Sequence, residues 1–326
     1  FKNFVQNQNL IEFKKNWFYH DYIKTQDHKI DIDYLTKFEN TYNIGLWNVA
    51  LNERHFYKHN RFYKFQKEEI LSILEDELKL FEKILNESKP DYFLTFNPVL
   101  HHQKLFLDIC KSKGIKALNA CRTGINDQTA LVNDGETFDL DFNLTIDNYH
   151  EQIPEKTAKS DTSDVYDTAH EKWVKGRNVS YLNKFSGLKN YLFDSDHDLI
   201  KSNFMYYGRN KFKVLKDALW IEYKRKSNFN FLNNNSILSP PLDIPFVYFP
   251  MNIVEESSLF HYAPYYTDQI EVIRHIAKSI PVDHMLYVKE HAAAGIRRWN
   301  EINYYKEIMD MQNVKLIHPK VDNEIL

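Results

Sequence analysis

Residues 245–298 constrain the fold of this chain more than any other segment does. A short apolar run at 246–250 is followed by a polar loop, a helical stretch at 268–280 and a second apolar run at 285–288. Strand, helix and strand in this order predict a βαβ unit with parallel strands. Ligands in open α/β sheets bind outside the carboxyl ends of such strands. The polar loops after the two apolar runs are therefore the expected positions of a binding site.

A second unit of the same kind is predicted earlier in the chain. Residues 68–88 place their apolar side chains at helical spacing, and Pro90 marks the end of that helix. Short apolar runs at 91–96 and 115–118 flank a helical stretch at 99–113, after which Gly114 is expected as a left-handed residue. The run at 44–49 is the best strand candidate before this unit. The chain therefore predicts an α/β fold in which one architecture occurs twice.

Between the two units the charge of the chain changes abruptly. Residues 131–171 contain eleven Asp or Glu against two Lys, which predicts an acidic, loop-rich insertion. Residues 201–226 contain eight Lys or Arg against two acids and predict a long basic helix. Its aromatic residues suit core packing, the commoner explanation, or contact with an anionic membrane. The polar segments at 233–236 and 239–241 predict a linker, so the domains are expected to span residues 1–240 and 241–326.

Composition restricts the function more than the fold. The chain has 326 residues, which is enough for two domains, and a net charge of -3. A nucleic-acid-binding protein usually carries a basic domain or stripe, so no nucleic-acid partner is predicted. Two cysteines, Cys110 and Cys121, are too few for a disulfide framework, and no apolar run reaches the roughly 18 residues of a membrane-spanning helix. These features predict a cytoplasmic protein, with peripheral contact at the inner face of a membrane as an option through 201–226.

Polar side chains that follow the two late strands are the candidates for ligand binding. Carboxylates and hydroxyls there can bind sugar hydroxyls, while His and Arg can neutralise a phosphate or diphosphate. The alternatives are an N-terminal helix cap for the first loop and a solvated strand end for the second. The candidates are Asn252, Glu256 and Ser258 after the first strand, and Glu290, His291, Arg297 and Arg298 after the second.

His101 and His102 are the candidates for proton transfer. They follow the early strand across an Asn-Pro pair, at the carboxyl edge of the first predicted sheet. An unperturbed histidine pKa of about 6.5 suits a general base near neutral pH. A surface histidine pair at a helix start is the alternative, and the commoner one.

No metal site and no familiar nucleotide loop is predicted. Asp-x-Asp triplets at 31/33, 139/141, 194/196 and 196/198 follow no convincing strand of a βαβ unit. Gly-x-Gly-x-x-Gly and a phosphate loop ending in Gly-Lys-Ser/Thr are both absent from the sequence. Their absence argues against an ordinary dinucleotide dehydrogenase or a P-loop enzyme.

The second half of the chain resembles the capsule polysaccharide biosynthesis family of glycosyltransferases, which includes the Kdo transferases of bacterial capsule assembly. Residues 48–65 and 89–91 are similar to the acceptor-side domain of such proteins. The matching segments in the second half are VYFP at 247–250, APYYTDQ at 263–269, YVKEH at 287–291, YYKEI at 304–308 and NV at 313–314.

The resemblance implies a GT-B type fold, with two Rossmann-like domains facing a cleft. The second domain is expected to be incomplete at its C-terminus, because a nucleotide-binding half normally needs more strands than the sequence contains after residue 241. The resemblance also implies a nucleotide-sugar donor, a glycan or lipid-linked glycan acceptor, and no obligatory metal or other cofactor. The donor would be bound by Asn252, Ser258, Glu290, His291, Arg297 and Arg298. Catalytic roles would fall to Glu256, in the same pocket, and to His101 or His102 on the acceptor side.

Three alternatives to a glycosyltransferase stay open. A nucleotide-sugar epimerase and a polyol-phosphate transferase would keep the fold and change the reaction. A non-catalytic glycan-binding or assembly protein is the third, because the chain departs from the family at two points. Ala292 follows the histidine where relatives usually have proline, and Asn252 with Glu255-Glu256 stands where relatives tend to have histidine and Pro-Glu.

Overall fold

The structure is a computed structural model that describes residues 2–23, 29–96, 98–122, 129–132, 203–253, 257–260, 263–291 and 300–321. These residues form an α/β protein with two separate three-stranded sheets. They divide into two compact units, one comprising the described residues up to 132 together with 203–209, and the other those from 210 to 321. No helix within these ranges is both long and apolar enough to cross a membrane.

The first unit contains the early βαβ unit that the sequence predicts. Strands β1 and β2 pair in parallel on either side of α6, and β3 pairs antiparallel with β2. A short 3-10 helix, Phe204–Tyr206, belongs to the same unit. In chain order the elements are α1 (Lys2–Asn7), α2 (Tyr19–Tyr22), α3 (Ile32–Tyr42), α4 (Leu46–Leu51), α5 (Lys67–Ser88), β1 (Tyr92–Phe96), α6 (His101–Ser112), β2 (Lys116–Arg122) and β3 (Thr129–Val132).

Helix α5 is the centre of the first core, as its apolar stripe predicts. Leu74 and Leu78 are fully buried on that stripe, and α5 begins where the side chain of Glu69 accepts a hydrogen bond from the backbone N–H of Gln66. After α6, Gly114 has a φ of +72°, which confirms the predicted left-handed residue. The predicted helix at 68–88 and the predicted left-handed residue Gly114 are therefore confirmed.

The strand predicted at 44–49 is wrong, because this run forms helix α4. Leu46 and Ala50 are one helical turn apart and are both buried in the first core. The side chain of Glu39 accepts a hydrogen bond from the backbone N–H of Leu46, which satisfies one donor of the first turn. A short apolar run fits either a strand or a helix, and here tertiary packing selects the helix.

The second unit contains the late βαβ pattern, and the strands described in it are parallel. Strand β4 pairs with β5 and β5 pairs with β6, which gives the order β4-β5-β6. In chain order the elements are α7 (Lys211–Asn235), β4 (Phe246–Pro250), α8 (Ser257–Phe260), a 3-10 helix (Pro264–Tyr266), α9 (Gln269–Ser279), β5 (Met285–Lys289), α10 (Ile302–Met309) and β6 (Val314–Ile317).

Helix α7 begins later and ends later than the predicted basic helix at 201–226. The side chain of Asn210 caps it by accepting from the backbone N–H of Lys213. Its last turns run through the polar segment predicted as a linker, because Leu232 is fully buried against the second sheet and Asn228 donates to the carbonyl of Asn300. These contacts place α7 in the second unit, although the domain boundary was predicted at 240. Of the acidic insertion predicted at 131–171, residues 133–171 lie outside the described part of the chain.

Candidate functional site

The carboxyl edge of the second sheet brings together two of the predicted donor-binding residues. Pro250 of β4 lies opposite Lys289 of β5, and the backbone N–H of Met251 donates to the carbonyl of Lys289 over 2.8 Å. Asn252 and His291 each follow that pair at the same distance along the chain, and both are exposed. Because parallel strands end at a common edge, the two residues occupy neighbouring positions there.

Gln269, the first residue of α9, holds the loop after β4. Its side-chain oxygen accepts a hydrogen bond from the backbone N–H of Asn252 over 2.7 Å. Its side-chain nitrogen donates to the backbone carbonyl of Asn252, also over 2.7 Å. Gln269 is buried, so the amide replaces solvent for both backbone groups and fixes the path of the loop.

Glu290 holds the loop after β5 in a similar way. It is 2% exposed, and one carboxylate oxygen accepts a hydrogen bond from the backbone N–H of His291 over 2.7 Å. The other oxygen accepts from the hydroxyl of Tyr305 over 2.6 Å and from the side chain of Asn300 over 3.0 Å. Burial raises the pKa of Glu290 above its ordinary value, and these hydrogen bonds oppose that shift. The carboxylate is thus engaged by protein donors, which favours a positioning role over direct contact with a sugar.

The other predicted residues of this edge are not brought together by the described coordinates. Glu256, Arg297 and Arg298 lie outside the described residues. Ser258 lies in the short helix α8, and its side chain is also outside the described part of the chain. Their predicted roles stay predictions.

The predicted catalytic histidine His101 lies at the start of α6, inside a buried group of charged residues. Its ring Nδ1 is 2.6 Å from Glu53 and its ring Nε2 is 2.9 Å from Glu77. The backbone N–H of His101 also donates to Glu53 over 3.1 Å. All three residues are at most 2% exposed. Because an ionised carboxylate only accepts hydrogen bonds, two ionised partners require protons on both ring nitrogens and a cationic ring.

The electrostatics of this group agree with a charged His101. Burial alone lowers the pKa of His101, but the charges of Glu77 and Glu53 outweigh burial and raise the pKa to about 10. Burial likewise raises the pKa of Glu53, yet the charge and hydrogen bond of His101, with help from His55, hold it well below its usual range. A ring that keeps its proton near neutral pH, with both nitrogens occupied, is poorly suited to act as a general base. This environment argues against the predicted catalytic role of His101.

His102 has the opposite environment. Burial, and then the charge on His101, lower the pKa of His102 to about 3, so the ring is neutral. It stacks on Tyr19 with 4.1 Å between ring centroids, and the Tyr19 hydroxyl donates to Glu77. Within the part of the chain that the structure describes, two buried atoms here have no hydrogen-bond partner, Nδ1 of His102 and Oε2 of Glu77. The group therefore combines a satisfied ion bridge with two unsatisfied polar atoms.

The sequence does not predict several residues of the strand-end edge and of the buried group around His101. Glu77 could have been found, since it falls on the apolar stripe of α5, seven residues after Ile70. A carboxylate at a core position usually has a buried partner. Nothing local distinguishes Glu53, Gln269 or Tyr305 from other polar residues, because each acquires its role through contacts distant in sequence.

The described residues define an α/β protein with two candidate sites. One is the strand-end edge of the second sheet, where a ligand could bind, and the other is the buried group of His101, Glu53 and Glu77. Comparison with protein-family models, with curated proteins and with solved structures found no match for this chain.

Proposed function

We propose that this protein is a glycosyltransferase of surface or capsular polysaccharide biosynthesis, which transfers a sugar from a nucleotide-sugar donor to a glycan or lipid-linked glycan acceptor. The observation that carries the proposal is the neighbouring position of exposed Asn252 and His291 after the carboxyl ends of two parallel strands, with each loop held by a buried side chain. The segments that resemble the capsule family include this edge. The proposal extends to a GT-B arrangement of two Rossmann-like domains and to a place at the cytoplasmic face of a membrane.

In this proposal different side chains at the edge bind different parts of the nucleotide-sugar donor. His291 donates to the diphosphate, and the Asn252 amide binds a hydroxyl of the ribose or the sugar. Glu290 and Gln269 keep both loops in place without touching the donor, which is how preorganised sites limit the entropy lost on binding. Arg297, Arg298, Glu256 and Ser258 keep their predicted roles.

Nucleotide binding is the first test of the proposal. Isothermal titration with UDP, CMP, CDP, GDP and their common sugar conjugates is expected to find one that binds. His291→Ala should weaken its affinity about tenfold or more, since a charge-assisted hydrogen bond contributes roughly 1.5–3 kcal/mol. Transfer of the sugar from the bound conjugate to an acceptor glycan, followed by mass spectrometry, then tests the reaction.

His284 offers a matched control for that variant. It is a partly exposed histidine immediately before β5, at the opposite end of the strand that precedes His291. His284→Ala should therefore leave nucleotide affinity unchanged. The proposal is abandoned if none of the nucleotides binds, or if both variants reduce affinity equally.

Product analysis separates the alternative reactions on the same fold. An epimerase converts the nucleotide sugar with no acceptor present, and a polyol-phosphate transferase adds a phosphorylated polyol to the acceptor. A non-catalytic glycan-binding protein would bind the acceptor glycan and show no affinity for any nucleotide.

The exposed face of α7 favours a peripheral membrane contact as part of the same proposal. The large apolar residues of this face are 52–76% exposed, and the neighbouring acid Glu222, whose side chain is 42% exposed, pairs with Arg225. Such a mixture of lysines and aromatic residues suits the headgroup region of an anionic bilayer. The face consists of Phe212, Lys213, Lys216, Leu219, Trp220, Tyr223 and Lys226.

Vesicle binding tests this contact. The protein is expected to sediment with vesicles of phosphatidylglycerol and phosphatidylcholine, and not with phosphatidylcholine alone. Lys213→Glu with Lys216→Glu should reduce binding about tenfold or more, because each basic residue near an anionic surface contributes roughly 1 kcal/mol. Lys278→Glu, an exposed charge reversal on α9, is the control. Equal binding to both vesicle types would contradict the contact.

A further inference from the structure

We propose that Glu77, His101 and His102 form a binding site for a divalent transition-metal cation of the Zn²⁺ type. One ligand atom from each of the three residues lies within 4.8 Å of the other two. Zn²⁺ binds imidazole nitrogen and carboxylate oxygen at roughly 2.0–2.2 Å, so tetrahedral ligand atoms are about 3.4 Å apart. A pair of ligand atoms at the full 4.8 Å would have to approach by about 1.4 Å around an ion, which is within the reach of small side-chain rotations.

Two unsatisfied atoms point to a ligand at this place. Oε2 of Glu77 and Nδ1 of His102 are buried and have no hydrogen-bond partner within the described residues. Glu77 is completely buried, and an unsatisfied buried polar atom costs roughly 1–3 kcal/mol. Both atoms belong to residues of the same group, and a cation between them would satisfy both. An ion bridge between His101 and Glu77 alone leaves them unsatisfied.

The residues behind the ligands are arranged as in known metal sites. A metal-bound histidine usually donates its other ring N–H to a carboxylate, which fixes the orientation of the ring. Here Nδ1 of His101 faces Glu53 at 2.6 Å, and Glu53 also accepts from the backbone N–H of His101. His55 holds the second oxygen of Glu53 at 2.6 Å. Nε2 of His101 is thus directed at Glu77, where coordination to a cation would displace its proton.

The choice of cation follows from the donor atoms. Two imidazole nitrogens and one carboxylate oxygen leave a fourth position for water or a further ligand, a set that Zn²⁺ accepts in proteins. Mg²⁺ and Ca²⁺ prefer sites built from oxygen alone. Of the three ligands only His102 is not fully buried, so it marks the side from which an ion would enter. The site belongs to the first unit, whereas the strand-end edge belongs to the second.

Equilibrium binding of Zn²⁺ to the untagged full chain tests the proposal. After removal of metal with a chelator, competition against a chromophoric chelator is expected to find one Zn²⁺ per chain. His102→Ala and Glu77→Gln should each weaken the affinity about tenfold or more, and Glu53→Gln about tenfold through the orientation of His101. Because the chain has 14 histidines, a control for binding by other histidines is needed. His275→Ala, at an exposed position on α9, serves as this control and should leave the Zn²⁺ affinity unchanged.

A measurement on the unmodified chain keeps the test independent of variant folding. The Co²⁺-loaded protein should show the visible absorption of a four-coordinate site, and X-ray absorption of the Zn²⁺ form should show two imidazole ligands. The proposal is overturned by the absence of stoichiometric binding, by a spectrum without imidazole ligands, or by equal affinity in the native chain and a folded His102→Ala variant. Loss of Zn²⁺ binding with unchanged nucleotide binding would separate this site from the proposed donor site.

Discussion

Replacement of His101 by alanine is expected to lower the free energy of unfolding of the first unit by about 3–5 kcal/mol, because a buried charge without its partner keeps its desolvation cost. In the metal-free native chain the His101 ring, as an imidazolium, lies between Glu53 and Glu77, at 2.6 and 2.9 Å. Without the ring, two buried carboxylates face each other with no cation between them. Chemical denaturation followed by circular dichroism, with a chelator present to remove metal, measures this loss.

Two further variants distinguish lost charge balance from lost packing. His101→Ala combined with Glu77→Gln removes the uncompensated charge as well and should recover about 1 kcal/mol or more of the loss. His55→Ala removes a second ring that contacts Glu53, but the His55 side chain is 19% exposed, so a loss of about 1 kcal/mol or less is expected. If the His101 variant were no less stable than the His55 variant, the charge argument would fail.

The pH dependence of the difference in unfolding free energy between the native chain and His101→Ala independently tests whether the His101 ring is charged. The pKa of His101 is about 10 in the folded chain and about 6.5 when unfolded, so the folded state binds more protons between these values. Its contribution to stability is therefore complete below about pH 6.5 and is lost as the pH rises through 10. With the chelator present, the stability difference between the native chain and His101→Ala should decrease from pH 7 towards pH 10. A difference that grew over this range would be inconsistent with a charged ring.

Replacement of Glu290 by alanine is expected to destabilise the second unit by about 3 kcal/mol, because it leaves three donors around a buried cavity without an acceptor. These donors are the backbone N–H of His291, the Tyr305 hydroxyl and the Asn300 amide. The loop that carries His291 also loses its anchor, so nucleotide affinity should fall together with stability. Hydrogen exchange at the amides of β5 and a nucleotide titration measure the two effects.

Tyr305→Phe is the matched control for the Glu290 variant. It removes one donor, keeps the ring buried and leaves intact the hydrogen bond that Glu290 accepts from the backbone N–H of His291. We expect a loss of about 1 kcal/mol and little change in nucleotide affinity. Equal effects of both variants on nucleotide affinity would mean that Glu290 does not position His291.

Local patterns predict most of the described secondary structure. The apolar stripe of α5, the turn at Gly114 and the strands of both βαβ units follow from periodicity and from residues with special backbone preferences. The location of Asn252 and His291 at one edge also follows, because parallel strands carry their carboxyl ends to the same side. The secondary structure of short segments is harder to predict from local patterns. The apolar run of α4 is compatible with a strand or a helix, and its packing in the first core selects the helix.

The sequence by itself therefore determined an α/β protein, the order of its main elements and the edge at which a ligand could bind. Only the tertiary structure decided the state of the polar residues. Glu53 is 48 residues from His101, and Glu77 is 24 residues from it, yet their contacts turn a predicted base into a buried cation. Burial and charge depend on neighbours brought together by folding, and no local pattern in the chain records them.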